Sequence, residues 1–394
     1  MLALYAAVRR ACDPNVSVCP TMPHILTINA GSSSIRFALI AVGARAVRLM
    51  DEKIERIGNE AANVTVDRLV QKLQTQSPST TPNAIGHRVV HGMLHTQPER
   101  VTPGLLDELR RITPYDPEHL PREIALIEAL QERFPLVPQV ACFDTAFHRH
   151  MPAVATLLPI PRRYSAKGVQ RYGFHGLSYT FLMEELRRLG DPAAARGRVI
   201  LAHLGSGASL AAVLNGSCID TSMGFTPTAG LVMGTRSGDL DPGLMSYLAL
   251  SESMTAAQFQ TMVNHESGLI GISETSADVR DLLERESGDV RARQAIAIFC
   301  YQAKKWIGAF AASLNGVDTL VFAGGIGENS AAVRRRICDG LQYLGIEIDD
   351  ALNQQHAPHI SSGAVTVRVI RTDEESVIAD LTARVLGMNE GVEP

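Results

Sequence analysis

Two stretches of the chain share one order of apolar and small polar positions. From His24 to Ile40 an apolar strand, a turn of Gly31, Ser32 and Ser33, and a second apolar strand follow one another; the order returns from Val199 to Val213 around Gly205, Ser206 and Gly207. Turns of glycine and serine let the backbone approach a ligand closely and present N–H and hydroxyl donors to phosphoryl oxygens. Two of them with matching flanks predict a nucleotide gripped between two related units. Further along, the pattern predicts strands at Ala84–Val90 and Leu136–Phe143, the latter ending at Asp144. Helices are predicted over Pro103–Ile112 and Pro121–Phe134, each opened by a proline at a position helices tolerate. Asp51–Thr80 is polar and weakly patterned, and the Pro- and Arg-rich Met151–Lys167 reads as a crossing between domains.

The second unit is predicted to hold a helix over Ser178–Leu189, the second hairpin, a turn at Asn215 and Gly216 leading into a third strand, and a Gly-rich loop through Gly238. Arg291–Leu314 has helical spacing, with Trp306 and Phe310 in the core. Thr319–Ser330 reads as a strand feeding a glycine turn and then a helix, where N–H groups can bind phosphate or ribose. A strand at Val365–Ile370 and a helix over Glu374–Leu386 close the chain. Residues 1–21 read as a non-core extension, with Met22 a possible alternative start.

Length and composition narrow the function. A chain of 394 residues favours two domains, and 37 basic against 41 acidic residues argue against nucleic acid or a membrane surface as the main partner. Six cysteines without a C-x-x-C pair indicate neither a zinc site nor a disulfide framework, which fits a reducing cytoplasm. No apolar run is long enough to span a bilayer, and neither a P-loop nor a protein-kinase motif set occurs.

Eight blocks, Asn29–Arg36, His87–Gly92, Phe143–His148, Arg171–Gly176, Met233–Pro242, Ser276–Arg280, Gly325–Asn329 and Thr372–Glu375, resemble the acetate kinase family and occur in its order. The resemblance implies the α/β fold shared with sugar kinases, actin and Hsp70 ATPase domains: a two-domain, duplicated RNase H-like architecture with the active site in the interdomain cleft. Residues 22–150, joined by the C-terminal helix 374–394, form the acceptor-side domain on this expectation, and 151–373 the nucleotide-binding and dimerisation domain. It also implies ATP and ADP as co-substrates, Mg²⁺ or alternatively Mn²⁺, a short carboxylate acceptor, and a homodimer.

Forming an acyl phosphate brings an anionic carboxylate against an anionic phosphoryl group, so concentrated positive charge is required. Arg88 and Arg236 are the leading candidates, because a guanidinium fork matches both oxygen pairs. By resemblance, Arg88 holds the carboxylate and Arg236 the transferring group, while Val90, Phe174 and Pro227 line the alkyl pocket. His175 bonds the phosphoryl in transit. Asp144 is a catalytic residue by resemblance, yet an acceptor acid with a pKa of about 4.3 is already ionised, so Asp144 is expected to orient the cation or the arginines rather than act as a base. The nucleotide is expected at Arg36, at His203, Leu204, Gly205, Ser206 and Gly207, at Asp278, Val279 and Arg280, and at Gly325, Ile326, Gly327, Glu328 and Asn329. Asn29 and Glu374 match the metal positions, with Glu375 easily confused with Glu374. His91, His95, His119, His148 and His150 are expected to be structural.

The chain departs from the family at Arg36, where lysine is usual, at Ser206 for asparagine, and at Leu177 and Tyr179 for threonine and histidine. Tyr115, Asp116 and Pro117 replace a Leu-His-Asn-Pro-like segment. Propionate or butyrate as acceptor, and an ATP-binding switch of the same fold, are the alternatives. A sugar kinase is disfavoured because a hydroxyl acceptor needs a base.

Overall fold

The computed structural model describes residues 22–388 apart from 32–33, 44–45, 56–60 and 78–80, and the expectation for residues 1–21 lies outside them. In the first sheet, β1 (His24–Ala30), β2 (Ser34–Ala41) and β3 (Val47–Glu55) form an antiparallel meander. β4 (Ala84–Val89) runs parallel to β1, β6 (Gln139–Phe143) parallel to β4, and the short β5 (Glu99–Arg100) closes the edge. The second sheet repeats this plan. Its meander is β7 (Arg198–Leu204), β8 (Ala208–Leu214) and β9 (Ser217–Thr221), with β10 (Thr319–Ala323) parallel to β7 and β11 (Thr366–Val369) parallel to β10. The duplication expected from two hairpins therefore extends through both sheets.

The helices that frame the site are α1 (Ala62–Gln76), α2 (Pro103–Ile112), α3 (Leu120–Arg133), α4 (Gly176–Arg188), α5 (Gly243–Glu252), α6 (Val279–Arg285), α7 (Val290–Ser313), α8 (Gly324–Asn329), α9 (Ala331–Cys338) and α10 (Glu374–Val385). β6 and β10 are buried along their whole length, as strands covered on both faces must be. Leu69 of α1 and Leu130 of α3 pack on one face of the first sheet, and Ala379 and Ala383 of α10 on the other. In the second, Phe299 and Phe310 of α7 oppose Leu182 and Leu186 of α4 across the strands. α4 also sends Leu177 into a cluster with Cys142 of β6 and Ile378 of α10. It therefore touches both halves.

The structure adds order to the polar stretch 51–80. α1 buries Thr65, Val66, Leu69, Val70 and Leu73, one stripe at helical spacing. It lacks a side-chain cap and an acidic first turn, so the usual start signals are missing. β3 buries Met50 and Ile54 and leaves Val47 and Leu49 exposed, which blurs its alternation.

Candidate active site

Arg88 is the penultimate residue of β4 and Asp144 follows β6; because these strands pair in parallel, with Val89 opposite Phe143, the two side chains meet. Arg88 Nε and Nη2 donate to Asp144 Oδ2 at 3.0 and 2.6 Å, and Nη1 reaches Ala30 O at 3.2 Å and Asn29 Oδ1 at 3.5 Å. Asp144 is wholly buried, and its Oδ1 accepts from the Leu177 N–H at 3.4 Å. Burial opposes the Arg88 charge, and the carboxylates of Asp144 and Glu374 more than offset it, so its pKa is raised. Asn29, at the end of β1, donates Nδ2 to Glu374 Oε2 at 2.8 Å and Glu375 Oε1 at 3.0 Å. Burial raises both carboxyl pKa values, with Arg88 easing Glu374 and the neighbouring Glu374 adding to the rise at Glu375. Arg36 stands opposite Asn29 on β2 and is exposed.

On the second half, His203 at the end of β7 and His175 at the start of α4 stack with ring centroids 4.4 Å apart. His175 occupies the left-handed region at φ 59°, a costly conformation for a residue with a side chain. Its helix begins tight against the first half, since a Cβ on Gly176 would fall 1.9 Å from Asp144 O. Nδ1 of His175 bonds Ser209 Oγ at 2.8 Å, and Nδ1 of His203 bonds Ser178 Oγ at 2.8 Å. Burial pushes His203 down to about 4 and His175 well below the ordinary imidazole value, so both rings are neutral at neutral pH. A Cβ on Gly207 would lie 3.3 Å from His175 Nε2 and 3.8 Å from Arg236 Nη1, so all three face one spot.

Arg236 is held by a backbone carbonyl and an imidazole. Nη1 donates to Pro227 O at 3.2 Å, Nη2 lies 3.5 Å from His119 Nε2, and no salt bridge forms among the described residues. Burial lowers its pKa. His119, expected to be structural, is therefore part of this cluster; its Nδ1 bonds the buried Asp116 Oδ1 at 2.8 Å. The local signal is the three-residue spacing of Asp116 and His119 across the turn that enters α3, short enough for the two side chains to bond. His148 fits the structural expectation, bonding Phe174 O at 3.1 Å and Cys218 Sγ at 3.2 Å. His91 is buried against Tyr172 and Phe174, with Nδ1 accepting from the Met93 N–H.

A cavity of about 680 Å³ opens beside Arg236, lined by Tyr115, His119, Phe225 and Pro227 among others. Val90 and Phe174 do not line it; they are buried in the core behind, with Phe225 packed against the same cluster.

The turn after β7 closes with Gly205 N donating to Gly207 O at 3.0 Å, and Ser206 O accepts from Gly234 N. Gly205 faces the next loop, for a Cβ there would lie 3.9 Å from Gly325 N. Gly324 has φ +76°, and a side chain there would strike Leu204 O at 2.7 Å, so only glycine lets β10 turn into α8 here. Glu328 Oε1 ties this loop to the chain before α10, accepting from Gly324 N at 3.0 Å and Thr372 N at 3.2 Å, while Asn329 Nδ2 donates to Gly325 O. Leu204 and Val279 bury their side chains in the core and Ile326 packs against it. These three offer a ligand mainly backbone. Asp278 caps α6 and pairs with the exposed Arg280, which holds its carboxyl below the usual range.

Buried histidines give the fold a pH signature. Burial takes His87, His91, His148 and His203 to about 4, and His175 well down, from an ordinary value of 6.5. Unfolded histidines bind protons below 6.5 where the folded ones do not, so this stability is complete above 6.5 and is lost as pH falls. Glu123, Glu374 and Glu375, raised by burial, act in the opposite sense above 4.5 and offset part of the loss. The melting temperature should fall from pH 7 to 5 and more steeply below 4.5; a rise across that range in thermal melts would refute the sign.

The acetokinase family model matches residues 58–380. An acetate kinase from Methylocella silvestris is 41% identical over 398 residues, covering 92% of this chain and 98% of its own. A propionate kinase from Citrobacter rodentium is 40% identical, covering 91% and 96%. Among solved structures, an acetate kinase from Porphyromonas gingivalis has a TM-score of 0.84 at 32% identity, and a propionate kinase from Francisella tularensis 0.83 at 34%; each covers 92% of this chain and is itself covered in full. Since likeness in sequence and in its two-domain actin-like ATPase fold runs along nearly the whole chain, the chain belongs to the acetokinase family.

Proposed function

We propose that the protein transfers the γ-phosphoryl group of ATP reversibly to a short-chain carboxylate, giving acetyl phosphate and ADP when acetate is the acceptor. The observation that carries this is the pair of arginines converging from opposite halves on the neutral His175, which feels the charge of both. Two anions can meet only where such charge is fixed in advance.

In this reading a carboxylate oxygen attached to Arg88 attacks the γ-phosphorus. The bond to the bridging oxygen of ADP breaks, and its electron pair leaves with ADP. No proton moves, so Asp144 serves by fixing the Arg88 fork and not as a base. His175 and Arg236 meet the phosphoryl group in transit, and His203 lies at the γ-phosphate. The nucleotide runs along 203–207 toward 325–329 and 278–280, with Arg36 at the opposite wall. Pro227 bounds the alkyl end, and Val90 and Phe174 pack in the core behind it.

The residues present fit a divalent cation: Glu374 is a half-buried carboxylate oriented by Asn29, whose Nδ2 is used on the two glutamates and whose Oδ1 is met only by a long contact of 3.5 Å from Arg88 Nη1. No cluster of three acidic, His or Cys side chains could hold a metal among the described residues, so phosphate oxygens and water supply the other positions, as Mg²⁺ prefers. When bound, Mg²⁺ (or Mn²⁺) neutralises phosphate charge. A homodimer is supported by α5, a Leu-rich helix with none of its residues buried, where Tyr247 and Leu250 are 64% and 88% exposed. Four buried free thiols fit a reducing cytoplasm.

Trapping acyl phosphates as hydroxamates with ATP, Mg²⁺ and acids of one to four carbons tests the function. ATP-dependent acetyl hydroxamate is expected; no product from any acid would leave the ATP-binding switch. Tyr115 borders the cavity and donates to Lys167 O at 2.8 Å. Tyr115→Leu should raise propionate use relative to acetate by roughly tenfold, since a methylene in such a pocket is worth about 1–3 kcal/mol. Butyrate outperforming acetate in the unmodified enzyme would refute the pocket.

A further inference from the structure

The two arginines are held in different ways. Arg88 has Asp144 as a direct counter-ion, whereas Arg236 has a carbonyl and an imidazole. The imidazole is not free to choose its protonation site. Asp116 is 2% exposed, and although burial opposes its charge, the hydrogen bond from His119 and the nearby positive charge of Arg236 hold its pKa below the ordinary carboxylate value. A carboxylate can only accept, so His119 Nδ1 carries the hydrogen. In the neutral ring the Nε2 lone pair then faces Arg236 Nη2, a group that can only donate. This is the single arrangement in which all three groups are complementary.

We propose that His119, oriented by Asp116, is a positioning residue that fixes the Arg236 guanidinium without neutralising it. A carboxylate in direct contact would spend the charge that the phosphoryl group needs; an imidazole with the carboxylate one step behind supplies direction and leaves the cation whole. The contact also crosses the cleft, since His119 precedes α3 and Arg236 lies in the loop before α5. Its formation therefore links the approach of the two halves to the alignment of Arg236. The proposal rests on the phosphoryl-transfer reading for the role of Arg236 but not for the hydrogen-bond chain itself.

Kinetics and nitrogen NMR of the full-length protein test the two parts separately. His119→Ala should lower kcat roughly ten- to a hundredfold, as loss of alignment does, with KM for ATP changed by less than about twofold. His119→Gln, whose amide can donate to Asp116 and accept from Arg236, should recover most of that loss. In ¹⁵N-histidine spectra of the unliganded protein, His119 should show a protonated Nδ1 and a bare Nε2, and Asp116→Asn should disturb that pattern. Wild-type kcat in His119→Ala, failure of Gln to rescue, or an Nε2-protonated ring would each overturn the proposal. An unmodified protein that makes no acyl hydroxamate would refute the carboxylate kinase reading while leaving the spectra to decide the chain.

Discussion

Arg236→Ala should lower kcat/KM for acetate and ATP by roughly 10²–10⁴-fold, the range lost when one preorganised charge is removed from a transition state. Arg236 forms no direct salt bridge among the described residues, so its loss breaks no ion pair, and Asp116 keeps its hydrogen bond to His119. The fold should keep its melting temperature while kcat falls. Arg88→Ala should cost a similar factor and weaken carboxylate binding more than ATP binding. It leaves Asp144 wholly buried without its cation, and breaking such a pair destabilises by about 3–5 kcal/mol. Near-wild-type kcat/KM in either variant would remove that arginine from the reaction.

Asp144→Asn should reduce kcat by about 10²-fold or more, and raising the pH from 6 to 9 should not restore it. The reason is geometric: Asp144 Oδ2 receives both Nε and Nη2 of Arg88, and an amide oxygen holds a guanidinium less tightly than a carboxylate does. The acceptor has no proton for hydroxide to remove. Recovery with rising pH would make Asp144 an acid or base and overturn the assignment. An increased Mg²⁺ requirement would point instead to the cation as the group it orients.

The parts of this molecule legible in its sequence are those where local pattern and tertiary role coincide. Both hairpins announce themselves because their strands are apolar on both faces and their turns must be small. Arg88, Asp144, His175 and Arg236 stand in distinctive blocks. α1 and β3 were hidden because each buries only part of its length, and packing by α3 and β2 rather than propensity sustains them. His119 was hidden for another reason. A histidine before a helix carries no local mark of a partner 117 positions away, and only the folded cleft brings Arg236 to it. Likewise the core positions of Leu204 and Val279 follow from sheet register, which single residues do not display.

α4 begins in one half and continues in the other. Its first residues are locked to Asp144 by the Leu177 N–H and by the close approach of Gly176, while Leu182 and Leu186 belong to the second sheet. The start of this one helix thus acts as a splice between the two sheets, and Arg88, Asp144 and His175 stand beside it, their spacing set by packed backbone rather than by mobile side chains. The contact of His119 with Arg236 is a looser tie between the same halves, a single hydrogen bond at 3.5 Å.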